Sequence, residues 1–587
     1  MRNYQVNLVA RLLVALLFIL FGCAGPVQGP AVSTVEPTVG TATAEIAPTE
    51  ASATETPATE ATPWLVEAPG TSDAEEPVPL VVAVADTIED PRFLDPTQTR
   101  PENQTSSMLL RSLYQTLVVY NPEAPMAVVP DLATEWKISE DGLNVTFTLQ
   151  EGIHAANGNP ITSEDVVFSI ERLRQNESPL TYLAESIASV EAPDDLTVVM
   201  TLAYPDSTII TKLAASAFSI LDRNVVEENA GDPLLWASQA GSGPYVIERW
   251  EPGNSVTLIS NPAYPDAPRG FDPLMMVYVP EHERQAQLLQ TGEVDVAMNL
   301  PIESITMFQG DPTITIQTEP TFDLVFLEAN QNNEILRNAR VLEAFRYAVN
   351  YDLIREQLGD ERLGGRTVTP PSFVPRGFEE AQGEGVPYDT ERANALLDEA
   401  GYPYQGEERF ALTLTYPGFD RSINFELIAG IIQENLAEVG VRVALQGVNA
   451  DRYLISDHEL RLSALSPFYL NANQYLEFPS GGTIARRNNW DVPGQAELRD
   501  NAMKASDPTE RQALFGEVKA QLNQDGIYTF VAQPGAILGY RADKINKFAY
   551  SPVYRYWNPC KNVNCDACAS RDADDCPWKC SWCCGGC

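Results

Sequence analysis

The sequence predicts an α/β protein of two or three domains, carried behind a secretory leader and a long acidic leash. Three observations predict this. Strand-like and helix-like hydrophobic periods alternate through the middle of the chain. Roughly 480 residues remain for folded structure between the leash and the cysteine-rich tail, too many for one core. And residues 1–79 change composition twice before the alternation begins.

Arg2 and Arg11 lie upstream of a run from Leu12 to Phe21 that is apolar and uncharged, then small residues follow. That order is a secretory signal, and the run is too short for a comfortable membrane span. Leu20-Phe21-Gly22-Cys23 resembles the bacterial lipobox, in which the cysteine is lipidated, although Phe21 stands where a smaller residue is usual. Acyl chains on Cys23, at about 0.8 kcal/mol per buried CH₂, would tether the chain to a membrane. The alternative is an ordinary cleaved signal with Cys23 incidental. Residues 24–79 are dominated by Ala, Thr, Pro, Glu and Val, with acids such as Glu36, Glu45, Glu50 and Glu55 and no Lys or Arg. Such a stretch cannot offset its ordering entropy by burial and is expected to be a solvated leash. Its root-mean-square span is on the order of 40 Å.

The elements then follow in order. Residues 144–149 (NVTFTL) alternate with period two after a turn at 140–142, as a half-buried strand does. Residues 161–168 (ITSEDVVF) read as a capped helix start with acids in the first turn, and Val167, Ile170 and Leu173 continue at helical spacing. Asp389 caps a helix with Ala393, Leu396, Leu397 and Ala400 as its core stripe, ending at Gly401. Residues 411–416 alternate, Phe425, Ile428, Ile432, Leu436 and Val439 share a helical face, Gly440 stops that helix, and 441–445 alternate again. That is a βαβ unit with parallel strands.

The catalytic inventory is thin. His154, His282 and His458 are the only histidines and lie far apart, so a His-rich metal site or a Ser-His-Asp triad has little to draw on. No GxxxxGK[ST] loop is present. A net charge of −42 argues against a nucleic-acid partner, which requires a basic surface. These absences favour binding over catalysis, and no cofactor is expected.

Residues 131–142 (DLATEWKISEDG), 146–153 (TFTLQEGI) and 158–166 (GNPITSEDV) together resemble the signature of family 5 extracellular solute-binding proteins, the dipeptide, oligopeptide and nickel receptors of ABC transporters. Further matches keep the family's order: 94–96 (LDP), 241–245 (GSGPY), 261–264 (NPAY), 292–295 (GEVD), 340–345 (RVLEAF), 400–402 (AGY) and 507–511 (DPTER). The similarity covers about 80–556. It implies a two-lobed periplasmic-binding-protein-like fold of type II, with an extra subdomain in lobe I, that closes on a ligand. The domains expected are a leader at 1–22, a linker at 23–78, lobe I at 79–116 and 194–267, the subdomain at 117–193, lobe II at 268–532, and a return to lobe I at 533–557. A monomer is expected, with a permease and an ATPase as partners.

The resemblance also places candidate ligand contacts. Asn103, Gln104 and Thr105 follow the first strand's turn; Gly241, Ser242 and Tyr245 belong to a small-residue loop; and Phe468, Tyr469 and Asn471 lie where peptide receptors of the group keep their anchors. The plainer reading is core packing for Tyr245 and Phe468, and turn stability for Asn103. Where those receptors carry an Arg and an Asp around a Gly-Trp, this chain has Ala464, Leu470 and Ser466-Pro467. A peptide ammonium is therefore not expected to be held in the usual way, and oligosaccharides, other small organic solutes, or peptides held through their backbone stay open. A sensory ligand-binding module or a secreted hydrolase on the same fold is the second reading.

The segment 558–587 does not belong to this picture. Eight of the nine cysteines fall there, and Cys565, Cys568, Cys580 and Cys583 have zinc-ribbon-like internal spacing. A metal site, a disulfide knot and a tail foreign to the fold are the three readings.

Overall fold

The computed structural model describes residues 78–551, apart from 87–89, 100–103, 122–123, 176–177, 179, 265–270, 407, 419–422, 454–456, 506, 546–547 and 549. The leader, the leash and the cysteine-rich tail, with Cys23, Cys565, Cys568, Cys580 and Cys583, lie outside the described residues.

The chain enters with β1 (Val78–Val84), whose run VPLVVAV suits a strand covered on both faces. A hairpin of β2 (Val118–Asn121) and β3 (Ala124–Pro130) follows. Then β4 (Ala133–Ile138), β5 (Asn144–Leu149), β6 (Ile187–Asp194) and β7 (Thr197–Leu202) make an antiparallel sheet in the order 4-5-7-6. β8 (Tyr245–Glu251), β9 (Ser255–Ser260), β10 (Phe271–Tyr278), β11 (Val296–Ala297) and β12 (Ile314–Pro320) rejoin β1, and β18 (Gly535–Arg541) completes a seven-stranded sheet, 12-18-11-1-10-9-8. Between them, β13 (Leu324–Ala329), β14 (Phe410–Pro417), β15 (Val441–Val448), β16 (Leu460–Leu465) and β17 (Tyr528–Ala532) form a second sheet, 15-14-16-13-17.

Two expected boundaries move. Strands β10 to β12 belong to the first sheet, so lobe I runs to Pro320 and lobe II does not begin at 268. The reason is pairing: β10 and β11 flank β1 in parallel, and β12 pairs with the returning β18 along its whole length. The subdomain does not end at 193 either. That cut falls inside β6, whose partner β7 is buried against the same core as Ile209, Leu213 and Phe218.

Local chemistry explains the elements. The helix Ser163–Gln175 opens on a side-chain cap, Thr162 N–H and Oγ1 both donating to Asp165 Oδ2 at 2.8 and 3.0 Å, and buries Val166, Ile170 and Leu173. Asp389 accepts from Arg392 N–H at the start of Thr390–Glu399. β14 and β15 pair in parallel from Phe410/Val441 to Pro417/Val448, with the helix Phe425–Glu438 as the crossover.

Lobe II has an unusual centre. Arg461 and Glu328, cross-strand neighbours on β16 and β13, are both fully buried with Nε 2.7 Å from Oε1. Ser463 Oγ donates to Glu328 Oε1 at 2.5 Å and Asn488 Nδ2 donates to Oε2 at 2.7 Å. Arg461 Nη1 donates to Tyr453 O at 2.7 Å and Nη2 to His458 Nε2 at 3.1 Å. Burial pushes the Glu328 carboxyl up, but Arg461, Arg487 and His458 outweigh it and hold the group below its ordinary range. Burial, reinforced by Arg461, pushes His458 down to about 4. Removing one partner of such a pair strands the other, at a cost of about 3–5 kcal/mol.

His458 titrates lower in the folded chain than its unfolded value of about 6.5. Its contribution to stability is therefore complete above about pH 6.5 and is lost progressively as pH falls toward 4, because only the unfolded chain takes up the proton in that window. Denaturant unfolding of the parent is expected to lose on the order of 2–3 kcal/mol over that window through this group. His458→Asn should flatten the decline, and an equal decline in the variant would refute the assignment.

Candidate functional site

Two segments join the lobes, 321–323 between β12 and β13, and 533–534 between β17 and β18. They are tied to each other and to lobe II by buried groups. Gln533 Nε2 donates to Thr321 O at 2.7 Å and to Arg376 O at 3.0 Å, while Gln533 Oε1 accepts from Arg376 N–H at 2.7 Å. Thr321 Oγ1 donates to Pro534 O at 2.6 Å, and Tyr475 Oη donates to Phe322 O at 2.5 Å. The crossing is thus a narrow hydrogen-bonded strap.

Beside this strap lies a cavity of ≈ 210 Å³ shared by both lobes. Lobe I supplies residues that follow the carboxyl ends of its parallel strands, His282 and Glu283 after β10, and Met298 to Glu303 after β11. In open α/β sheets ligands settle at that edge. The edge is held by two amides: Asn299 Oδ1 accepts from Ala85 N–H at 3.2 Å, and fully buried Gln285 joins Val279 O and Asn299 N–H. Lobe II supplies Gln357, Leu358, Ile423, Asn424 and Leu427, the last three at the N-terminus of the helix Phe425–Glu438. The strap supplies Thr321, Asp323 and Pro534. Glu283, Glu303 and Asp323 are carboxylates, and no Lys or Arg is among the described residues that line the cavity. Asp323 is 2% exposed. The N-terminus of the helix Phe425–Glu438, the positive end of its dipole, belongs to the same wall.

A second interlobe contact lies at 468–471. Tyr469 and Leu470 leave lobe II and are buried in the core of the lobe I subdomain. Leu470 N–H donates to Tyr120 Oη at 2.8 Å, and Tyr120 Oη donates on to Thr211 O at 2.8 Å. Lys212, paired with Asp206 at 2.8 Å, lies 5.7 Å from the Tyr469 ring centroid. Phe468 meets Tyr182 edge to face at 6.4 Å. Asn471 caps the short helix Ala472–Glu477, and its Oδ1 accepts from Arg511 Nη2 at 3.0 Å.

The expected contact residues are thus divided among three places. Asn103 lies outside the described residues, and Gln104 opens the helix Gln104–Leu113. Thr105 is buried, its Oγ1 donating to Asp86 O at 2.6 Å at the end of β1. Gly241 and Ser242 pack against the end of the helix Gln104–Leu113, not against the cleft. A Cβ on Gly241 would fall 2.0 Å from Leu113 O, and Gly243 N–H donates to that same oxygen, so the loop needs glycine for close approach. Ser242 Oγ is buried with no partner among the described residues. Tyr245 belongs to the lobe I core, its hydroxyl donating to Phe271 O at 3.1 Å. Only Phe468, Tyr469 and Asn471 stand at the junction between lobes. Asp323, Glu283, Glu303 and Asn299 were not singled out from sequence. Apart from the nearby 292–295 motif, nothing marks them within a chain of 81 acids.

This is a two-lobed α/β architecture with a cavity lined by residues of both halves. Residues 127–486 match the family model described as bacterial extracellular solute-binding proteins, family 5 Middle. The chain belongs to that family. Among curated relatives it is 26% identical over 495 residues to the probable D,D-dipeptide-binding periplasmic protein DdpA of Escherichia coli K12, covering 82% of this chain and 93% of that protein. It is 27% identical over 439 residues to the glutathione-binding protein GsiB of Salmonella paratyphi A, covering 70% and 82%. The fold matches the murein tripeptide binding protein MppA of Escherichia coli with a TM-score of 0.71 at 20% identity, over 82% of this chain and 98% of that one. It also matches DppA of Helicobacter pylori, solved with peptide STSA, with a TM-score of 0.68 at 23% identity, over 81% and 96%.

The Tyr120 hydroxyl receives the only main-chain hydrogen bond described between the 468–471 segment and lobe I. Tyr120→Phe should weaken closure by about 1 kcal/mol, roughly a fivefold loss of affinity with a larger radius of gyration in solution scattering of the liganded protein. Unchanged affinity and radius would show that this contact does not hold the lobes shut.

Proposed function

We propose that this chain is the receptor of an ABC importer, capturing a short peptide or similar ammonium-bearing solute between its lobes and releasing it unchanged to a permease and ATPase. The observation that carries the ligand class is the cavity beside the strap, with three carboxylates, no Lys or Arg among its described lining residues, and a helix N-terminus in its wall. A zwitterion matches this pattern, its ammonium toward Asp323 and its carboxylate toward the helix. Placing the ammonium here also fits Ala464 and Leu470, which supply no charge at the position where related peptide receptors pair it. The names of relatives that bind dipeptides and glutathione support the same class.

Closure does the capturing. Solute contacts reach both lobes only when they are together, so differential affinity for the closed state shifts the population. Cys23 would carry the lipid, and the acidic leash would let the folded part range above the membrane toward its permease.

Two experiments test this. Calorimetry with a tripeptide and its N-acetylated form should give at least a tenfold preference for the free amine, and Asp323→Asn should erase that preference. Equal binding of both forms would remove the ammonium assignment, and conversion of the peptide to products would remove the receptor itself. For the anchor, Cys23→Ala should move the protein from the membrane to the soluble fraction on cell fractionation. An unchanged distribution would exclude lipidation at this residue.

A further inference from the structure

Lobe II contains a second cavity of ≈ 180 Å³, lined by Thr413, Thr415, Gln446, Arg452, Tyr453, Asp457, His458 and Glu459. It shares no residue with the cavity beside the strap. Its position is also different: β16 meets the interlobe region at Leu465, paired with Leu324, whereas this cavity lies about the opposite end of the strand.

Its polarity comes from a row across the sheet. Gln446 is opposite Thr415, Thr415 is opposite Arg461, and Arg461 is opposite Glu328, and cross-strand partners share a face. Thr413 adds to that face by the two-residue strand period. The charges here are already matched. Arg452 pairs with Asp457 at 2.8 Å, and Arg461 pairs with Glu328. Glu459 accepts from Asn333 Nδ2 at 2.9 Å and from Thr413 N–H at 2.8 Å. The neutral groups are not matched. The side chains of Thr413, Thr415 and Gln446 make no hydrogen bond to another described residue.

His458 supplies the independent pointer. It is 7% exposed, and its Nδ1 has no partner among the described residues. Nε2 already has two neighbours, Arg461 Nη2 at 3.1 Å and Asn488 Oδ1 at 3.2 Å, and Nδ1 has none. A buried ring nitrogen without a partner is costly in either tautomer, on the order of 1–3 kcal/mol.

We propose that this cavity is a second binding site, for a small uncharged polyhydroxyl molecule, a polyol or monosaccharide. A hydroxyl group can donate or accept, so it serves His458 Nδ1 in either tautomer, and it exchanges hydrogen bonds with two threonines and an amide. An ionic ligand would find Arg452 and Asp457, and Arg461 and Glu328, already paired, and both Glu459 oxygens already accepting hydrogen bonds. The space exceeds what one water needs.

The test is titration of the full chain with glycerol, ribitol and glucose, alongside acetate and methylammonium, read by saturation-transfer NMR and calorimetry. At least one of the three polyols should bind saturably at millimolar concentration, and neither ion should. Thr415→Val should weaken that binding at least tenfold, and Gln446→Leu, at an exposed strand position, at least threefold. Asp323→Asn should leave it unchanged. Absence of saturable binding by all three polyols, meaning that only water fills the cavity, would overturn the proposal. So would binding that survives both substitutions.

Discussion

Everything in this molecule turns on the Gln533 side chain and the strap it closes. Two antiparallel strands, β12 and β18, bring the outgoing and returning chain side by side at Pro320 and Gly535. Gln533 then ties the two to each other and to Arg376 through three hydrogen bonds, at 3% exposure. A buried amide with all of these partners satisfied is worth more than its individual bonds, because losing one partner leaves a desolvated group behind. With so few residues crossing, the lobes can change their angle by adjusting backbone at the strap alone, while each sheet stays intact. The acidic cavity lies against that strap, so a solute held there as proposed would contact both lobes where a small rotation is felt.

The two interlobe contacts differ in chemistry. Around Tyr469 and Leu470 the junction is apolar, with Lys212 and the Tyr120 hydroxyl as its polar elements, and it buries protein against protein. Around Asp323 the walls are polar and like-charged, so closing without a counter-charge brings carboxylates together in a medium of lower dielectric. The first contact favours shutting, and on the proposed function the second resists it until an ammonium-bearing solute arrives. A receptor that must distinguish loaded from empty needs both terms, since a guest can shift the equilibrium only by its preference for one state.

Legibility followed locality. The unit at 410–448 could be read from sequence because its strands alternate, its helix keeps a continuous apolar face, and Gly440 ends it; the register confirms parallel pairing residue by residue. The start of Ser163–Gln175 was readable for the same reason, since Thr162 and Asp165 cap it within one turn. The lobe boundary was not, because β11 is two residues long and takes its place between β1 and β18 only by tertiary pairing. Phe468 and Tyr469, expected as ligand contacts from the order of motifs, pack against the lobe I subdomain at the junction between lobes. Gly241 and Tyr245 looked equally suited, yet the close approach to Leu113 and the bond to Phe271 make them internal to lobe I. Asp323 carries no local signature, and its meaning comes only from which residues fold around it.

One topological feature has reach beyond binding. Because Thr321 and Pro534 are adjacent in space, joined by a 2.6 Å hydrogen bond, the whole of lobe II is an insertion whose entry and exit coincide. Such a module can be exchanged between homologous scaffolds, or the chain re-cut within it, without rethreading the host sheet. Diversification of cargo across a lineage can therefore proceed by swapping one half while the other keeps its fit to the transporter.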